Sequence, residues 1–148
     1  MDVKKKFAAG VVMRDSPEGR ENFSSGGRWE PLVGYSRAVR AGDWVHVAGT
    51  TAADASGRVI GEGDPYQQTV AALRTVAEAL ERAGATMAEV VRTRMFVTDI
   101  TRWEEYGRAH GEVFATIRPA ATMVEVARLI DPAMMVEIEV EAFSPRRG

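Results

Sequence analysis

Three glutamates near the C-terminal end of the sequence are the residues best placed for acid–base chemistry. Glu137, Glu139 and Glu141 alternate with apolar residues, and this alternation predicts a strand with the three carboxylates on one face. A carboxylate that is partly removed from water has a raised pKa and can act as a general base on a water molecule. Each of the three carboxylates, Glu137 among them, is therefore a candidate catalytic base.

The same glutamates also have a purely structural interpretation. Arg92 and Arg94 alternate with apolar residues in a second predicted strand, at 90–98. If that strand lies beside the first, its arginines share the face of Glu137 and form an ion pair with it. The residues alone leave both roles open.

Other chemistries lack the residues that they need. The chain of 148 residues has no Cys and two His, so thiolate chemistry is excluded and His46 and His110 do not complete a zinc site by themselves. Its glycine pairs lack the strand–GxxxxGK[ST]–helix context of a phosphate-binding loop. We expect no metal and no cofactor, and we expect both histidines to be packed or partly exposed residues without a functional role.

Composition limits the partners. A net charge of −2 and a pI of about 5.8 argue against the basic surface on which nucleic acids bind, so we expect no nucleic-acid partner. No stretch approaches the length of about 18 apolar residues that favours a spanning helix, and we expect no membrane partner. The first 13 residues are a poor match to a signal peptide, which predicts a cytoplasmic protein.

Periodicity predicts two helices among several strands. Asp64 and Pro65 have the types of an N-cap and a first helical residue, and the apolar spacing that follows predicts a helix over about 65–83. A capping box of Thr101 and Glu104 predicts a second helix up to about 116. Alternating residues predict a hairpin of 35–39 with 44–48, and strands at 90–98, 120–128 and 134–143.

This order of elements predicts an α+β sandwich, in which a mixed sheet carries both helices on one face. We expect the opposite face to hold the glutamates and arginines together with four apolar side chains, namely Val90, Phe96, Met123 and Met135. An amphipathic face of this kind is typical of contact with another subunit.

The N-terminal part of the chain is predicted to be irregular. Residues 14–34 are rich in Gly, Ser and Pro and have no sustained period. We therefore divide the chain into an irregular arm at 1–33 and one folded domain at 34–148. Arg28 and Trp29 lie in the arm, and an arm can fold over a cleft.

Two C-terminal segments, at 118–129 (RPAATMVEVARL) and 131–142 (DPAMMVEIEVEA), carry a resemblance to a known family. Together with 34–36 (GYS), 45–49 (VHVAG) and 95–100 (MFVTDI), they resemble the Rid (RidA/YjgF) family in order along the chain. The resemblance implies a chorismate-mutase-like fold and a homotrimer with ligand clefts between subunits. It also implies cofactor-free imine and enamine deaminase activity, a hydrolase reaction that gives a 2-keto acid and ammonia.

The resemblance also implies site residues, and one of them is altered here. Tyr35, Gly49 and Glu137 match the ligand cleft of the family. Ala121 stands where the deaminase motif has an Arg that binds the substrate carboxylate, and an alanine methyl cannot form that bidentate pair. Met123, in the same motif, and Arg118, a possible substitute cation, complete the substrate-binding candidates.

The altered motif leaves two hypotheses. Gly107 stands where some members carry a second polar contact, an amide in the second helix. The first hypothesis is therefore a deaminase with a non-standard imine, enamine or carbonyl substrate. The alternative is a trimer that binds a small metabolite or a partner without catalysis. The endoribonuclease activity attributed to some relatives fits poorly with the acidic pI.

Overall fold

A computed structural model describes residues 17–147, which form a six-stranded sheet and two long helices. Residues 1–16 lie outside the described part, so the prediction for that stretch of the arm is not addressed. In chain order the strands and helices are β1 (Arg20–Phe23), α1 (Trp29–Val33), β2 (Ala38–Ala41), β3 (Trp44–Thr50), α2 (Pro65–Arg82), β4 (Val90–Val97), α3 (Trp103–Phe114), β5 (Ala120–Glu125) and β6 (Val136–Phe143).

The sheet is mixed, as predicted. Its strand order is β1-β2-β3-β6-β4-β5, and β4 with β5 is the parallel pair while the other neighbours are antiparallel. β6 separates β3 from β4, and α2 makes that crossover, whereas α3 connects the parallel neighbours β4 and β5. The predicted α+β architecture is confirmed.

The start of α2 follows from its first residues. The Asp64 side chain accepts a hydrogen bond from the Gln67 N–H at 3.0 Å, and Pro65, which has no N–H to satisfy, occupies the first turn. Leu73, Val76 and other residues of its apolar stripe are fully buried against the sheet. α2 therefore positions β3 and β6, the strands that carry the site.

The start of α3 differs from the predicted capping box. Asp99, not Thr101, is the cap: its carboxylate accepts a hydrogen bond from the Thr101 N–H at 3.0 Å. A turn of 3₁₀ helix at Ile100–Arg102 follows, and α3 begins only at Trp103. Asp99 therefore caps this 3₁₀ turn, whereas Arg102, the residue before α3, makes no side-chain capping bond.

Part of the predicted irregular arm is regular. β1 extends the sheet by pairing with β2, and α1 is a short helix. The buried Glu30 carboxylate holds the preceding turn, because it accepts hydrogen bonds from the Ser25 hydroxyl at 2.6 Å and the Gly27 N–H at 3.0 Å. β1 is held by backbone hydrogen bonds to the edge of the sheet, and these do not require alternating apolar and polar side chains. The sequence pattern therefore does not predict β1. The Arg28 guanidinium lies 4.5 Å from the centre of the Trp29 ring.

The side of the sheet opposite α2 and α3, here called the outer face, is less apolar than predicted. Phe96 lies there with the glutamates, but Val90, Met123 and Met135 pack on the helix side with the core. An irregularity in the pairing of β4 with β6, between Val90 and Arg92, turns Val90 inwards. Met123 opposes the buried Met95 and therefore shares its side. The prediction was wrong for these three residues.

Candidate functional site

Glu137 lies directly over Gly49. A Cβ atom built on Gly49 would be 2.9 Å from the carboxyl carbon of Glu137 and closer still to Oε1. β3 pairs with β6 irregularly at this point, because Val47 opposes Val140 while Thr50 opposes Ile138. The resulting bulge brings the Gly49 backbone under the carboxylate, and any larger residue would displace it.

Arg37 links the other candidate residues of this cluster. Its Nη1 donates to the Gly49 carbonyl at 2.8 Å and to Thr50 Oγ1 at 2.7 Å, while Nη2 donates to the Tyr35 hydroxyl at 3.3 Å. Arg37 thus connects the Tyr35 hydroxyl to the Gly49 backbone, which lies beneath Glu137. Sequence reasoning missed Arg37, although its spacing of two residues from Tyr35 places both on one face of an extended segment.

The Glu137 carboxyl is half-buried, and this burial raises its pKa above the ordinary glutamate value. The positive charge of Arg37 opposes the shift, and the negative charge of Glu139 adds to it. Burial is the largest of the three effects. A carboxyl of this kind exchanges a proton closer to neutral pH than an exposed glutamate does.

The arginines of β4 pair with the two other glutamates. Arg94 Nη1 lies 3.0 Å from Glu141 Oε1 and 3.7 Å from Glu139 Oε2, and Arg92 Nε lies 3.8 Å from Glu141 Oε2. The register explains this choice, since Glu137 opposes Phe96 rather than an arginine. The structural interpretation of Glu137, an ion pair with Arg92 or Arg94, was therefore wrong.

A cleft of about 410 Å³ opens on the outer face beside this cluster. Tyr35 contributes to its wall, and so do the exposed His46 and the paired Arg94 and Glu139. Glu137 is next to the cleft rather than in its wall. The complete lining is Arg20, Asn22, Gly34, Tyr35, Ser36, Val39, His46, Val47, Ala48, Arg94, Glu139, Val140 and Glu141.

The remaining candidates lie at β5, away from Glu137. Ala121 opposes Thr93 and Met123 opposes Met95, and both partners are buried on the helix side of the sheet. Arg118, exposed in the turn before β5, has a left-handed backbone with φ of 53°. One protomer therefore presents two separate groups, one around Glu137 and one at the β5 edge.

His110 packs at the β5 edge, in agreement with the prediction of a packed histidine. Its Nε2 lies 2.8 Å from Thr93 Oγ1, and its ring centre lies 4.6 Å from that of Phe114. Burial lowers the pKa of the imidazole. Within residues 17–147, no three His, Asp or Glu side chains are grouped as metal ligands, and no helix is long and apolar enough to cross a membrane.

The chain is thus a small α+β protein whose mixed sheet holds a half-buried glutamate over a bulged glycine. The model of the family described as Endoribonuclease L-PSP matches residues 26–144. The chain belongs to this family, the YjgF/Rid family that its motifs resemble.

Individual relatives agree with this assignment. A crystal structure of Rv2704 from Mycobacterium tuberculosis, a member of the YjgF/YER057c/UK114 family, is 52% identical with a TM-score of 0.77, covering 84% of this chain and 98% of that one. An uncharacterized Streptomyces coelicolor protein, SCO2049, is 42% identical over 85% of this chain and 93% of its own length. A RutC family protein from Pyrococcus abyssi is 30% identical over 77% of this chain and 89% of its own.

Proposed function

We propose that the chain forms a cytoplasmic homotrimer whose clefts between subunits bind a small imine, enamine or carbonyl metabolite and hydrolyse its C=N bond without a cofactor. The observation that carries the proposal is the half-buried Glu137 carboxylate, which lies over Gly49 while the outer-face arginines pair with other glutamates. Because Arg92 and Arg94 pair with Glu139 and Glu141, neither of them occupies the Glu137 carboxylate, which is left to act on a water molecule.

The trimer is supported by the separation of the two groups of candidate residues. Tyr35, Gly49 and Glu137 surround one end of β3, whereas Ala121 and Met123 lie on the helix side of the edge strand β5. β5 has a free edge and is mostly exposed in a single protomer. A neighbouring subunit that places its β5 edge against the Glu137 cluster would complete a cleft, as the family resemblance implies.

The Glu137 carboxylate acts as the general base of the hydrolysis. It removes a proton from a water molecule while the water oxygen attacks the carbon of the protonated imine, and the C=N electron pair moves to nitrogen to give a neutral carbinolamine. Glu137 then transfers this proton to the carbinolamine nitrogen and takes the hydroxyl proton as the C–N bond breaks and the C=O bond forms. Ammonia leaves and takes the last proton from Glu137, so one protonated imine and one water give one carbonyl compound and one ammonium ion.

Ala121 indicates a substrate other than a simple 2-aminoacrylate. Without a guanidinium at this position, an α-carboxylate would lose its bidentate partner on entering the cleft. Arg118 lies three residues earlier and is exposed. It would replace the missing guanidinium only if its side chain pointed towards the neighbouring subunit. A substrate without the carboxylate avoids this desolvation cost.

Two other functions can be tested with the same purified protein. Binding without catalysis requires an occupied cleft and no ammonia release. Cleavage of RNA, suggested by the description of the family, is disfavoured because Arg92 and Arg94 are already paired with glutamates and the chain has a net charge of −2.

The test is ammonia release from freshly generated imines, one panel with an α-carboxylate and one without it. We expect the wild-type protein to accelerate hydrolysis of the carboxylate-free panel, and Glu137→Gln to abolish the acceleration. Glu78→Gln is the matched control, since it makes the same change at an exposed position of α2, outside the candidate site. Equal activity in Glu137→Gln and the wild type would overturn the proposed role of this carboxylate.

Two further measurements separate the alternatives. Ala121→Arg is expected to gain activity on carboxylated imines, because it restores the bidentate partner. Sedimentation equilibrium is expected to give the mass of a trimer, and a monomer would remove the cleft. A wild type that binds the ketone products but hydrolyses neither panel would support the non-catalytic alternative.

A further inference from the structure

Three elements meet on the helix side of the sheet around a single imidazole. We define the β5 groove by Trp103, Gly107 and His110 on α3, Thr93 on β4 and Ala121 on β5. The three α3 residues are spaced by four and three positions, so they share one face of the helix. Thr93 directly opposes Ala121, and its hydroxyl oxygen lies 2.8 Å from His110 Nε2.

Small residues keep this groove open. Ala121 is exposed, and a Cβ atom on Gly107 would have only Trp103 Cε3 within 4 Å, at 3.8 Å, among the described residues. The Trp103 side chain is 56% exposed, which is unusual for so large an apolar residue. The groove therefore offers a flat apolar surface at Trp103 and a polar side chain at His110.

Thr93 fixes the orientation of His110. Thr93 is fully buried, and its hydroxyl makes the one hydrogen bond that the His110 ring has among residues 17–147. The second ring nitrogen, Nδ1, is left to bind a ligand, as an acceptor or a donor according to the tautomer. Burial lowers the pKa of His110, so at neutral pH the ring has hydrogen-bonding capacity without charge.

We propose that His110, positioned by Thr93, determines the specificity of the β5 half of the cleft and selects substrates that carry an uncharged hydrogen-bonding group at the end nearest Ala121. This inference rests on the proposed function, and it names the substrate class: small imines or carbonyl compounds ending in an amide or a hydroxyl group rather than a carboxylate. Trp103 provides the apolar surface for the remainder of such a molecule.

Three substrates of nearly equal shape test the proposal. They are the imines of pyruvamide, methyl isopropyl ketone and pyruvate, which end in an amide, an alkyl group and a carboxylate. We expect the wild type to favour the amide. His110→Phe should lower kcat/KM for the amide about 2- to 10-fold, the value of the one neutral hydrogen bond that Nδ1 can make, and leave the alkyl substrate unchanged. His110→Gln, which keeps a donor and an acceptor, should restore part of the loss.

The controls separate a specificity role from a structural one. Arg74→Phe places the same ring at an exposed position of α2, outside both groups of candidate residues, and should not alter the ratio of amide to alkyl activity. Thr93→Val should reduce the amide preference while His110 remains. Equal loss for amide and alkyl substrates in His110→Phe, or a wild type that favours pyruvate, would overturn the inference.

Binding measurements distinguish failure of this inference from failure of the proposed function. The three ketones are titrated calorimetrically into the Glu137→Gln trimer, which is expected to bind without turnover. If His110→Phe, added to Glu137→Gln, raises the Kd of pyruvamide, His110 is the selecting residue. If the wild type at the same time hydrolyses none of the imines, the proposed catalysis is rejected while the role of His110 stands. Kd values independent of His110 would reject the selecting role even if the imines are hydrolysed.

Discussion

The carboxylate of Glu137 occupies the space in which a side chain at Gly49 would have to lie. A Cβ atom there would stand 2.9 Å from the Glu137 carboxyl carbon, well inside van der Waals contact. The glycine therefore determines where the carboxylate can be. Because Arg37 donates a hydrogen bond to the Gly49 carbonyl, the backbone beneath the carboxylate is also held in place.

Gly49→Ala should abolish or strongly reduce ammonia release, because the added methyl group displaces Glu137 from its position. Displacement of a catalytic group by about 1 Å lowers a rate by roughly 100-fold. Gly111→Ala in α3 is the matched control for stability, since among the described residues a Cβ atom there would have nothing within 4 Å. Steady-state kinetics and thermal denaturation are measured on both. Full activity in Gly49→Ala would contradict the placement of Glu137.

The pH dependence of activity should follow the raised pKa of Glu137. The base must be ionised, so kcat/KM should increase with pH through a pKa above the ordinary value of 4.5. An acid limb at the ordinary glutamate value would show that another group controls the rate. The profile is measured with the alkyl imine, whose own ionisation is determined separately in the absence of protein.

The same shift predicts the pH dependence of stability. The folded state holds the Glu137 proton more tightly than the unfolded state does, so this stabilisation is complete below the unfolded pKa and is lost as pH rises through the folded pKa. The free energy of unfolding of the wild type, relative to Glu137→Gln, should therefore decrease with pH across that window. Urea denaturation at a series of pH values measures the difference, and a constant difference would contradict the shift.

Replacing Arg37 should change both stability and the acid limb. Arg37→Met loses the hydrogen bonds to Gly49 and Thr50, which should cost about 1–3 kcal/mol in the free energy of unfolding. Loss of the positive charge should move the pKa of Glu137 further upwards, because Arg37 opposes the effect of burial. Arg37→Lys keeps the charge and should shift the acid limb less. An unchanged limb in Arg37→Met would show that this cation does not act on the base.

Arg118→Gly should stabilise the protein. Arg118 has a φ of 53°, and its N–H donates to the Phe114 carbonyl at 2.8 Å, which is the position after a helix where glycine is favoured. Relief of the left-handed strain should raise the free energy of unfolding by about 0.5–1 kcal/mol. Urea denaturation checks the gain. A parallel loss of substrate affinity would support the contact of Arg118 with ligand, whereas unchanged affinity would remove it from the site.

Arg40 should be essential for stability but not for specificity. Its side chain is buried, with 2% exposed, and donates to the carbonyls of Ala83 at 2.7 Å and Ser144 at 2.8 Å. Arg40→Met leaves these acceptors without a donor and should cost about 2–4 kcal/mol. The preference between amide and alkyl imines should be unchanged when measured below the melting temperature. A change in that preference would show coupling between Arg40 and the cleft.

Local signals in the sequence were sufficient for most of the elements. The Asp64 cap and the apolar stripe of α2 depend on residues close in the chain, so the predicted helix at 65–83 agrees with the observed Pro65–Arg82. The alternation of β6 likewise depends on neighbours two residues apart, and its glutamates lie on the outer face as expected. The family motifs predicted Tyr35, Gly49 and Glu137 as site residues. In the structure Glu137 lies over Gly49, and Arg37 connects Gly49 to Tyr35.

Pairing between distant segments was decided only by the tertiary structure. The register places Phe96, rather than Arg94, opposite Glu137, and a single irregularity after Val90 reverses the side on which that residue lies. β1 joins the sheet through backbone hydrogen bonds, which have no side-chain signature. Arg37 reaches Gly49 because β2 and β3 are neighbours, a contact 12 residues apart in the chain. The sequence by itself thus determined the residue types and their local periods. The register between distant strands determined that Glu137 is the carboxylate left without an arginine partner from β4. Register has this effect because a shift of one residue in a strand exchanges its two faces.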